Sequence, residues 1–291
     1  MRRLLALACF VTACVVPAPT RVEHPARTLE RATSAPLRIA SFNIQIFGRT
    51  KAHNPEVMAQ LARVVASYDV VAVQEIKDLT GEAPQLLLRE VNAIPGAKYA
   101  LLLSPRTGRE PDDQGSQEAY AVFYNTATVA ALPNDQLYDD STQDLFQREP
   151  YLVHLRSVTG TFSAVLIDIH TAPARAVAEI GSLPAVYAYA RQVFPDEPNI
   201  IALGDFNASC NYATPRQLDP LPIRSAPYRW MIPDTSNSNL ASGSSCAYDR
   251  IVANANAAAY FTGGWGVDSA AFSDKRVSDH WPVWAEFRTA D

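Results

Sequence analysis

Polar side chains that can do acid–base or metal chemistry stand at the ends of short apolar runs. Asn43 interrupts the first such run, Glu75 ends the second, and His170 ends a later one together with Asp168. Two further groups are Gly204-Asp205-Phe206-Asn207, after Ile200–Leu203, and Ser278-Asp279-His280, before Val283–Phe287. A single Asn or Asp at a strand end is usually a turn former. Five such coincidences predict a polar site at one edge of the sheets.

Three of these residues fit a divalent metal ion. Glu75 and Asp279 offer carboxylate oxygens and Asn43 a neutral amide oxygen, which are the ligands that a hard cation such as Mg²⁺ prefers. Such an ion polarises phosphoryl oxygens and offsets negative charge that develops on them. The set therefore favours cleavage of a phosphate ester.

Two histidines fit the proton transfers of the same reaction. His170 and His280 are two of the five histidines in the chain. Each needs an acidic partner to fix its tautomer and raise its pKa. Glu118 and Asp249 are the candidate partners, and the sequence separation alone leaves both pairings open.

The elements that must position these residues are short strands with some helices between them. Strands are predicted at Leu37–Phe47, Val70–Ile76, 98–103, 118–124, 150–158, 161–169, Ile200–Leu203, Asp249–Val252 and Val283–Phe287. Helices are predicted at Pro55–Tyr68, capped by Asn54, near Pro84–Ala93, and at 175–193, where Pro184 should kink or divide the helix. This order indicates large mixed sheets with helices outside them.

Length and composition indicate one large domain. The 291 residues are 48% hydrophobic, and no internal repeat or long linker follows residue 36, so residues 37–291 are predicted to form one domain. The formal net charge is −5. A generally basic surface, the usual footprint of a nucleic-acid binder, is missing, which argues against tight, sequence-specific DNA binding.

The N-terminus resembles an export signal. Met1-Arg2-Arg3 is a positive start, and the apolar run Leu4–Val11 is too short to span a bilayer. The following Val11-Thr12-Ala13-Cys14 resembles a bacterial lipobox. Residues 1–14 are therefore predicted to be the signal and 15–36 a flexible tether. The product would be a lipoprotein anchored through Cys14 or, with ordinary signal cleavage, a secreted protein; only such an anchor would contact a membrane.

Two of the four cysteines lie outside this leader. In an oxidising compartment Cys210 and Cys246 are expected to form one disulfide. It would close a loop of about thirty-six residues, which stabilises the fold by roughly 3–4 kcal/mol on a loop-entropy estimate. Neither cysteine has a second Cys or a His at ligand spacing, which argues against zinc.

The motifs, taken in order, resemble those of the endonuclease/exonuclease/phosphatase superfamily and, within it, deoxyribonuclease I. The resemblance covers about residues 37–288. Its motifs are Ser41-Phe42-Asn43-Ile44, Val73-Gln74-Glu75, Asp168-Ile169-His170-Thr171, Leu203-Gly204-Asp205-Phe206-Asn207-Ala208-Ser209-Cys210-Asn211-Tyr212, Cys246-Ala247-Tyr248-Asp249-Arg250-Ile251-Val252 and Ser278-Asp279-His280-Trp281-Pro282.

The resemblance implies a four-layered α/β sandwich, two packed mixed β-sheets flanked by helices, with the site along one edge. It implies acid–base pairs His170–Glu118 and His280–Asp249, with the roles of the two histidines left open. Asn43, Glu75 and Asp279 would hold Mg²⁺ or Mn²⁺, and Asp205 and Asn207 would orient the phosphate, the water or a second ion. The family's disulfide falls on Cys210 and Cys246. The implied product carries a 5′-phosphate.

The resemblance also implies a monomer that contacts the minor groove and backbone of DNA with little sequence specificity. Lys77, Arg148, Tyr212 and Tyr248 match contact positions of the family. Lys77 replaces an Arg, Ser116 replaces an aromatic residue and Gln45 replaces a basic one, so weaker duplex binding is expected.

Structural Ca²⁺ is a further implication. Asp139, Asp140, Asp144 and Glu149 resemble one calcium site of the family, and a second would lie near Asp234–Ser245; a solvated acidic loop is the alternative at both places.

Two other functions remain open at this point. One is a phosphodiesterase of the same superfamily that acts on a lipid headgroup, sphingomyelin or a phosphoinositide, with Trp265 as a candidate membrane contact. The other is a catalytically silent surface protein that only binds DNA or another protein. The intact set of candidate catalytic residues argues against the silent protein.

Overall fold

Two six-stranded sheets position the candidate residues. The structure is a computed structural model that describes residues 35–109, 115–241 and 243–290. Its strands are β1 Leu37–Phe47, β2 Val70–Ile76, β3 Tyr99–Leu103, β4 Ala119–Asn125, β5 Val129–Leu137, β6 Tyr151–Ser157, β7 Ser163–His170, β8 Ile200–Asp205, β9 Arg229–Trp230, β10 Asp249–Ala253, β11 Phe261–Val267 and β12 Val283–Phe287. Its α-helices are α1 Arg49–Ala52, α2 Pro55–Val65, α3 Glu82–Asn92, α4 Ala176–Val193, α5 Pro215–Leu218 and α6 Ala255–Tyr260.

The two sheets share one plan. The first has the strand order β11-β12-β1-β2-β4-β3, and the second has the order β5-β6-β7-β8-β10-β9. Each has one parallel pair at its centre, β1 with β2 and β7 with β8. The neighbouring strands β12, β4, β6 and β10 pair with these antiparallel. Both sheets are therefore mixed.

Burial on both faces of each sheet makes four layers. Ile39 and Val70 point from the first sheet into a core shared with the second, where Val153 and Leu203 meet them. The opposite face of the first sheet packs under helices α1, α2 and α3, and that of the second packs under α4. The predicted four-layered sandwich is confirmed.

Helix α2 begins at Pro55 as the sequence predicts, and α3 and α4 begin within two residues of their predicted starts. Asn54 caps α2 because its side chain accepts hydrogen bonds from the backbone N–H groups of Glu56 and Val57. Helix α4 is one helix that runs through Pro184, so the predicted division there is wrong. Ile180 and Val186 on either side of Pro184 are fully buried, and this burial outweighs the backbone hydrogen bond that proline removes.

Sequence reasoning missed three edge strands, β5, β11 and the two-residue strand β9. Strand β5 contains Pro133, and its pairing with β6 shifts register between Leu132 and Gln136; proline is tolerated at such an edge. Strand β11 contains three glycines, which have low strand propensity. Neither β5 nor β11 shows the β-branched alternation that marks the central strands.

No helix in the described ranges is both long enough and apolar enough to cross a bilayer. The export signal, the tether and Cys14 lie outside the described residues.

Cys210 and Cys246 form the predicted disulfide, with their Cα atoms 5.7 Å apart and a sequence separation of 36.

Removing the disulfide, by reductant or by the double substitution Cys210→Ser and Cys246→Ser, should lower the free energy of unfolding by about 3–4 kcal/mol, because the unfolded chain regains loop entropy. Urea denaturation with and without reductant measures the change. The double variant is the control, since reductant should leave its midpoint unchanged. Equal midpoints for the oxidised and reduced wild type would contradict the prediction.

Candidate active site

The candidate residues meet at one edge of the sandwich because of strand direction. In the second sheet His170 at the end of β7 lies beside Asp205 at the end of β8, and Asp249 at the start of antiparallel β10 lies on the other side of Asp205. In the first sheet Asn43 lies beside Gln74, one residue before Glu75. The ends of parallel strands and the starts of their antiparallel neighbours thus share this edge.

Glycine is required in the Gly204-Asp205-Phe206-Asn207 motif. Gly204 has φ +151°, and a Cβ there would lie 1.8 Å from the carbonyl oxygen of Ile169 on the adjacent strand. Only glycine lets the two strands approach this closely. Asn207 and Glu75 also have positive φ, 47° and 63°, and such conformations concentrate at functional sites.

His170 and Glu118 form the first acid–base pair. His170 Nδ1 lies 2.8 Å from Glu118 Oε2. The other oxygen, Oε1, forms ion pairs with Lys77 at 3.0 Å and with Arg148 at 3.5 Å. Burial opposes ionisation of Glu118, but His170, Arg148 and Lys77 outweigh it and lower its pKa. Burial likewise opposes protonation of His170, but Glu118 raises the pKa of His170 above its usual value.

His280 and Asp249 form the second pair. His280 Nδ1 lies 2.8 Å from Asp249 Oδ2, and the backbone N–H of Asp249 donates to the Ser238 hydroxyl. Burial opposes protonation of His280, yet Asp249 and then Asp205 raise its pKa to about 10. Both predicted pairings are present in the structure.

One carboxylate oxygen lies between the two imidazoles. Asp205 Oδ2 is 3.6 Å from His170 Nε2 and 3.7 Å from His280 Nε2, and it accepts a hydrogen bond from Asn43 Nδ2 at 3.0 Å. Its other oxygen accepts from the backbone N–H of Asn207. Burial opposes ionisation of Asp205, but His280 and His170 lower its pKa. The two Nε2 atoms, which remain available for proton transfer because the Nδ1 atoms are paired with Glu118 and Asp249, therefore face a common point.

Two sets of side chains could hold a metal ion. Asn43 Nδ2 donates to Glu75 Oε1 at 3.0 Å, and Asp279, partly exposed, lies with an oxygen 4.0 Å from His280 Nε2. Asp205, Asp249 and His280 also bring one ligand atom each within 4.8 Å of one another. Because Asp249 and His280 already form a hydrogen bond with each other, we favour Asn43, Glu75 and Asp279 as the metal ligands. Carboxylate and amide oxygens fit a hard divalent ion.

Comparison with known families is consistent with this geometry. The sequence profile of the Endonuclease/Exonuclease/phosphatase family matches residues 40–280. The chain belongs to this family. It is 37% identical over 222 residues to Deoxyribonuclease-1 of Sus scrofa, covering 74% of this chain and 76% of that protein. It is 32% identical over 264 residues to Deoxyribonuclease-1-like 2 of Mus musculus, covering 87% and 92%.

Solved structures share the fold of this Endonuclease/Exonuclease/phosphatase member. D. rerio TDP2 complexed with single strand DNA product matches with a TM-score of 0.58 and 17% identity, covering 87% of this chain and 99% of that one. The human Nocturnin catalytic domain with bound sulfate anion matches with a TM-score of 0.57 and 14% identity, covering 87% and 93%. At these identities the likeness establishes the fold alone.

Sequence reasoning missed Lys51, which lies beside the candidate active site. Its Nζ donates to the carbonyl oxygens of Ile44 at 2.7 Å and Val277 at 3.1 Å, and also to that of Gln45. These bonds join the end of β1, which carries Asn43, to the segment just before Ser278-Asp279-His280. Burial lowers the pKa of Lys51 to about 8, although the nearby carboxylates of Glu75 and Asp279 oppose the shift. Lys51 therefore fixes the segments that carry Asn43 and Asp279 relative to each other.

The four predicted DNA contacts differ in their surroundings. Lys77 and Arg148 are bound to Glu118, and Arg148 also donates to the carbonyl oxygen of His170. Tyr212 is exposed and packs against Tyr248, which in turn packs against the His280 ring with 5.7 Å between centroids. Lys77 and Arg148 thus contact the His170–Glu118 pair directly, and the two tyrosines lie beside the His280–Asp249 pair.

The predicted calcium residues have partners of their own. Asp144 pairs with Arg109, Asp140 accepts a hydrogen bond from the Phe146 backbone, and Glu149 bonds Thr107. Burial, then Asp140 and Asp144, raise the pKa of Glu149, so the three carboxylates are close neighbours. In the second predicted region Asp234 pairs with Arg224 and Arg250. Both calcium sites stay predictions.

Stability should depend on pH through His280. Its folded pKa, about 10, lies above the ordinary 6.5, so protonation stabilises the fold. This contribution is fully present below pH 6.5 and is lost as pH rises towards 10. The stability advantage of wild type over His280→Gln, measured by urea denaturation in chelator, should shrink over that window. An advantage that stays constant or grows with pH would contradict the assigned ion pairs.

Lys51→Met should lower the free energy of unfolding by about 2–3 kcal/mol, because three carbonyl groups lose a charged donor. It should also reduce activity, because the segments carrying Asn43 and Asp279 lose their common support. Urea denaturation and initial-rate kinetics measure both effects. Lys98→Met, at an exposed lysine, is the matched control. If the two variants have equal stability, the Lys51 contacts contribute nothing.

Proposed function

We propose that the chain is a divalent-metal-dependent endodeoxyribonuclease that hydrolyses DNA phosphodiester bonds with little sequence specificity and leaves 5′-phosphates. The observation that carries this proposal is the pair of histidine–carboxylate couples whose Nε2 atoms face one point, 3.6 and 3.7 Å from Asp205 Oδ2. Metal-binding carboxylates lie beside that point. The arrangement supplies a base, an acid and a cation site around one phosphate.

Family membership supports a nuclease or other phosphodiesterase of this superfamily. The relatives that cover most of the chain bear the name deoxyribonuclease, which favours DNA as the substrate.

In the proposed mechanism the two imidazoles divide the proton transfers. One Nε2 accepts a proton from the attacking water, and the other donates a proton to the departing 3′ oxygen as its bond to phosphorus breaks. Glu118 and Asp249 hold the Nδ1 sides and fix both rings. Asn43, Glu75 and Asp279 would hold Mg²⁺ or Mn²⁺, which would supply positive charge to offset the negative charge that develops on the phosphoryl oxygens. Asp205 and Asn207 orient the phosphate or the water.

We propose further that the enzyme acts as an exported monomer, anchored through Cys14 or secreted. The disulfide supports an oxidising compartment. We retain Lys77, Arg148, Tyr212 and Tyr248 as DNA-binding positions, and structural Ca²⁺ at Asp140, Asp144 and Glu149. The net charge of −5 agrees with weak, largely non-specific contact to the minor groove and backbone.

Hydrolysis of a lipid headgroup is the competing proposal. Trp265 is 40% exposed, but it lies on the edge strand β11, and among the described residues no other large apolar side chain of that strand is comparably exposed. We therefore favour DNA.

The deciding experiment is plasmid nicking with Mg²⁺ and Ca²⁺, run beside RNA and sphingomyelin. Wild type should nick the plasmid and stop in EDTA, because the cation site would be empty. His170→Ala and His280→Ala should each lose about 100-fold or more in rate while keeping the fold, whereas His154→Ala, on β6 and paired with Glu197, should keep its activity. Activity in EDTA, or an active His170→Ala enzyme, would refute the mechanism.

A substrate with a sulfur in place of the 3′ oxygen separates the two histidine roles. A thiolate leaves without protonation, so the variant that lacks the general acid should recover activity on this substrate. The variant that lacks the base should stay inactive. Recovery by both variants or by neither would contradict a division of roles.

A further inference from the structure

An open groove of about 750 Å³ leads away from Glu75 and His170. Its volume suits a nucleotide-sized ligand. Two large aliphatic side chains, Ile46 and Leu79, line it and are 63% and 58% exposed. Exposed apolar groups that cluster beside a polar site mark a ligand surface rather than chance exposure.

The backbone holds Ile46 outward at an energetic cost. Its φ is +48°, a conformation that β-branched residues rarely adopt. The backbone N–H of Ile46 donates to Glu75 Oε2 at 2.7 Å, and Lys51 binds the carbonyl oxygen of the preceding Gln45. A metal-binding carboxylate and a buried lysine therefore fix the direction of this side chain. Backbone strain at Ile46 that is held by hydrogen bonds beside the candidate site indicates a role for this side chain in binding.

The two basic side chains that line the groove, Lys77 and Arg148, already form ion pairs. Lys77 lies 3.0 Å and Arg148 3.5 Å from Glu118 Oε1, so both charges neutralise the partner of His170. The position next to Ile46 is the neutral Gln45. The wall that carries Ile46 and Leu79 is thus suited to an apolar surface and poorly suited to a chain of phosphates.

Resting on the proposed nuclease function, we infer that Ile46 and Leu79 contact the base of an unstacked nucleotide next to the scissile phosphate. Duplex DNA is then still bound through the weak minor-groove and backbone contacts proposed above, but single-stranded or locally distorted DNA is cut faster than regular duplex. Base faces are the apolar part of DNA, and stacking hides them in a duplex. Proteins reach them by using single strands as substrates or by inserting Ile, Leu or similar wedges between base steps.

The test compares kcat/KM on a single-stranded oligonucleotide and on the duplex of the same sequence. Wild type should favour the single strand. The double substitution Ile46→Ala and Leu79→Ala should lose about tenfold on the single strand, the range of one lost base contact, and less than threefold on the duplex. Leu79→Ala alone should show the same trend without altering the strained residue. Val158→Ala is the matched control, because Val158 is 51% exposed and follows β6, outside the groove.

A second arm places one abasic nucleotide at each position around a mapped cleavage site. Wild type should slow at one position next to the cut, and the double variant should not distinguish that position.

The outcomes separate the two proposals. A wild-type preference for duplex, or equal losses on both substrates in the double variant, would overturn the role of Ile46 and Leu79 while leaving the nuclease proposal intact. A wild-type protein that cuts neither substrate in Mg²⁺ would overturn the nuclease proposal itself.

Discussion

The candidate active site depends on the contact between the two sheets, because each histidine–carboxylate pair joins one sheet to the other. Glu118 precedes β4 in the first sheet, while its partner His170 ends β7 in the second. Asp249 begins β10 in the second sheet, and its partner His280 precedes β12 in the first. Asn43 on β1 reaches Asp205 on β8 in the same way. Neither sheet alone has a complete pair, so the apolar core between them is what brings the reacting groups together.

A polar layer supports the site from beneath. Gln74 on β2 donates to Asp168 on β7 at 2.6 Å, and Ser41 donates to Gln74. Asp168 is fully buried, and burial raises its pKa to about 8. Burial therefore favours the neutral acid, which avoids the large cost of an unpaired buried charge. These hydrogen bonds require a specific register between the sheets, which apolar contacts alone would not fix.

Much of this site could be predicted from the sequence because its side chains stand at strand ends. The strands Leu37–Phe47 and Val70–Ile76 have the predicted bounds, since their apolar residues are buried on both faces. Lys51 could not be found in this way. Its partners are backbone carbonyls, which every residue possesses, so they leave no pattern in the sequence. The ion pairs of Lys77 and Arg148 with Glu118 could not be predicted either, because the direction of a side chain depends on packing between distant segments.

The disulfide stands unusually close to the chemistry. Cys210 follows Asn207 by three residues and Cys246 precedes Asp249 by three, so the bond ties the loop that follows Asp205 to the loop that precedes Asp249. A chain held in a reducing compartment folds with these loops untied. Oxidation of the two thiols adds a covalent tie beside the candidate site, so the redox state of the surroundings bears on how firmly Asp205 and Asp249 are held.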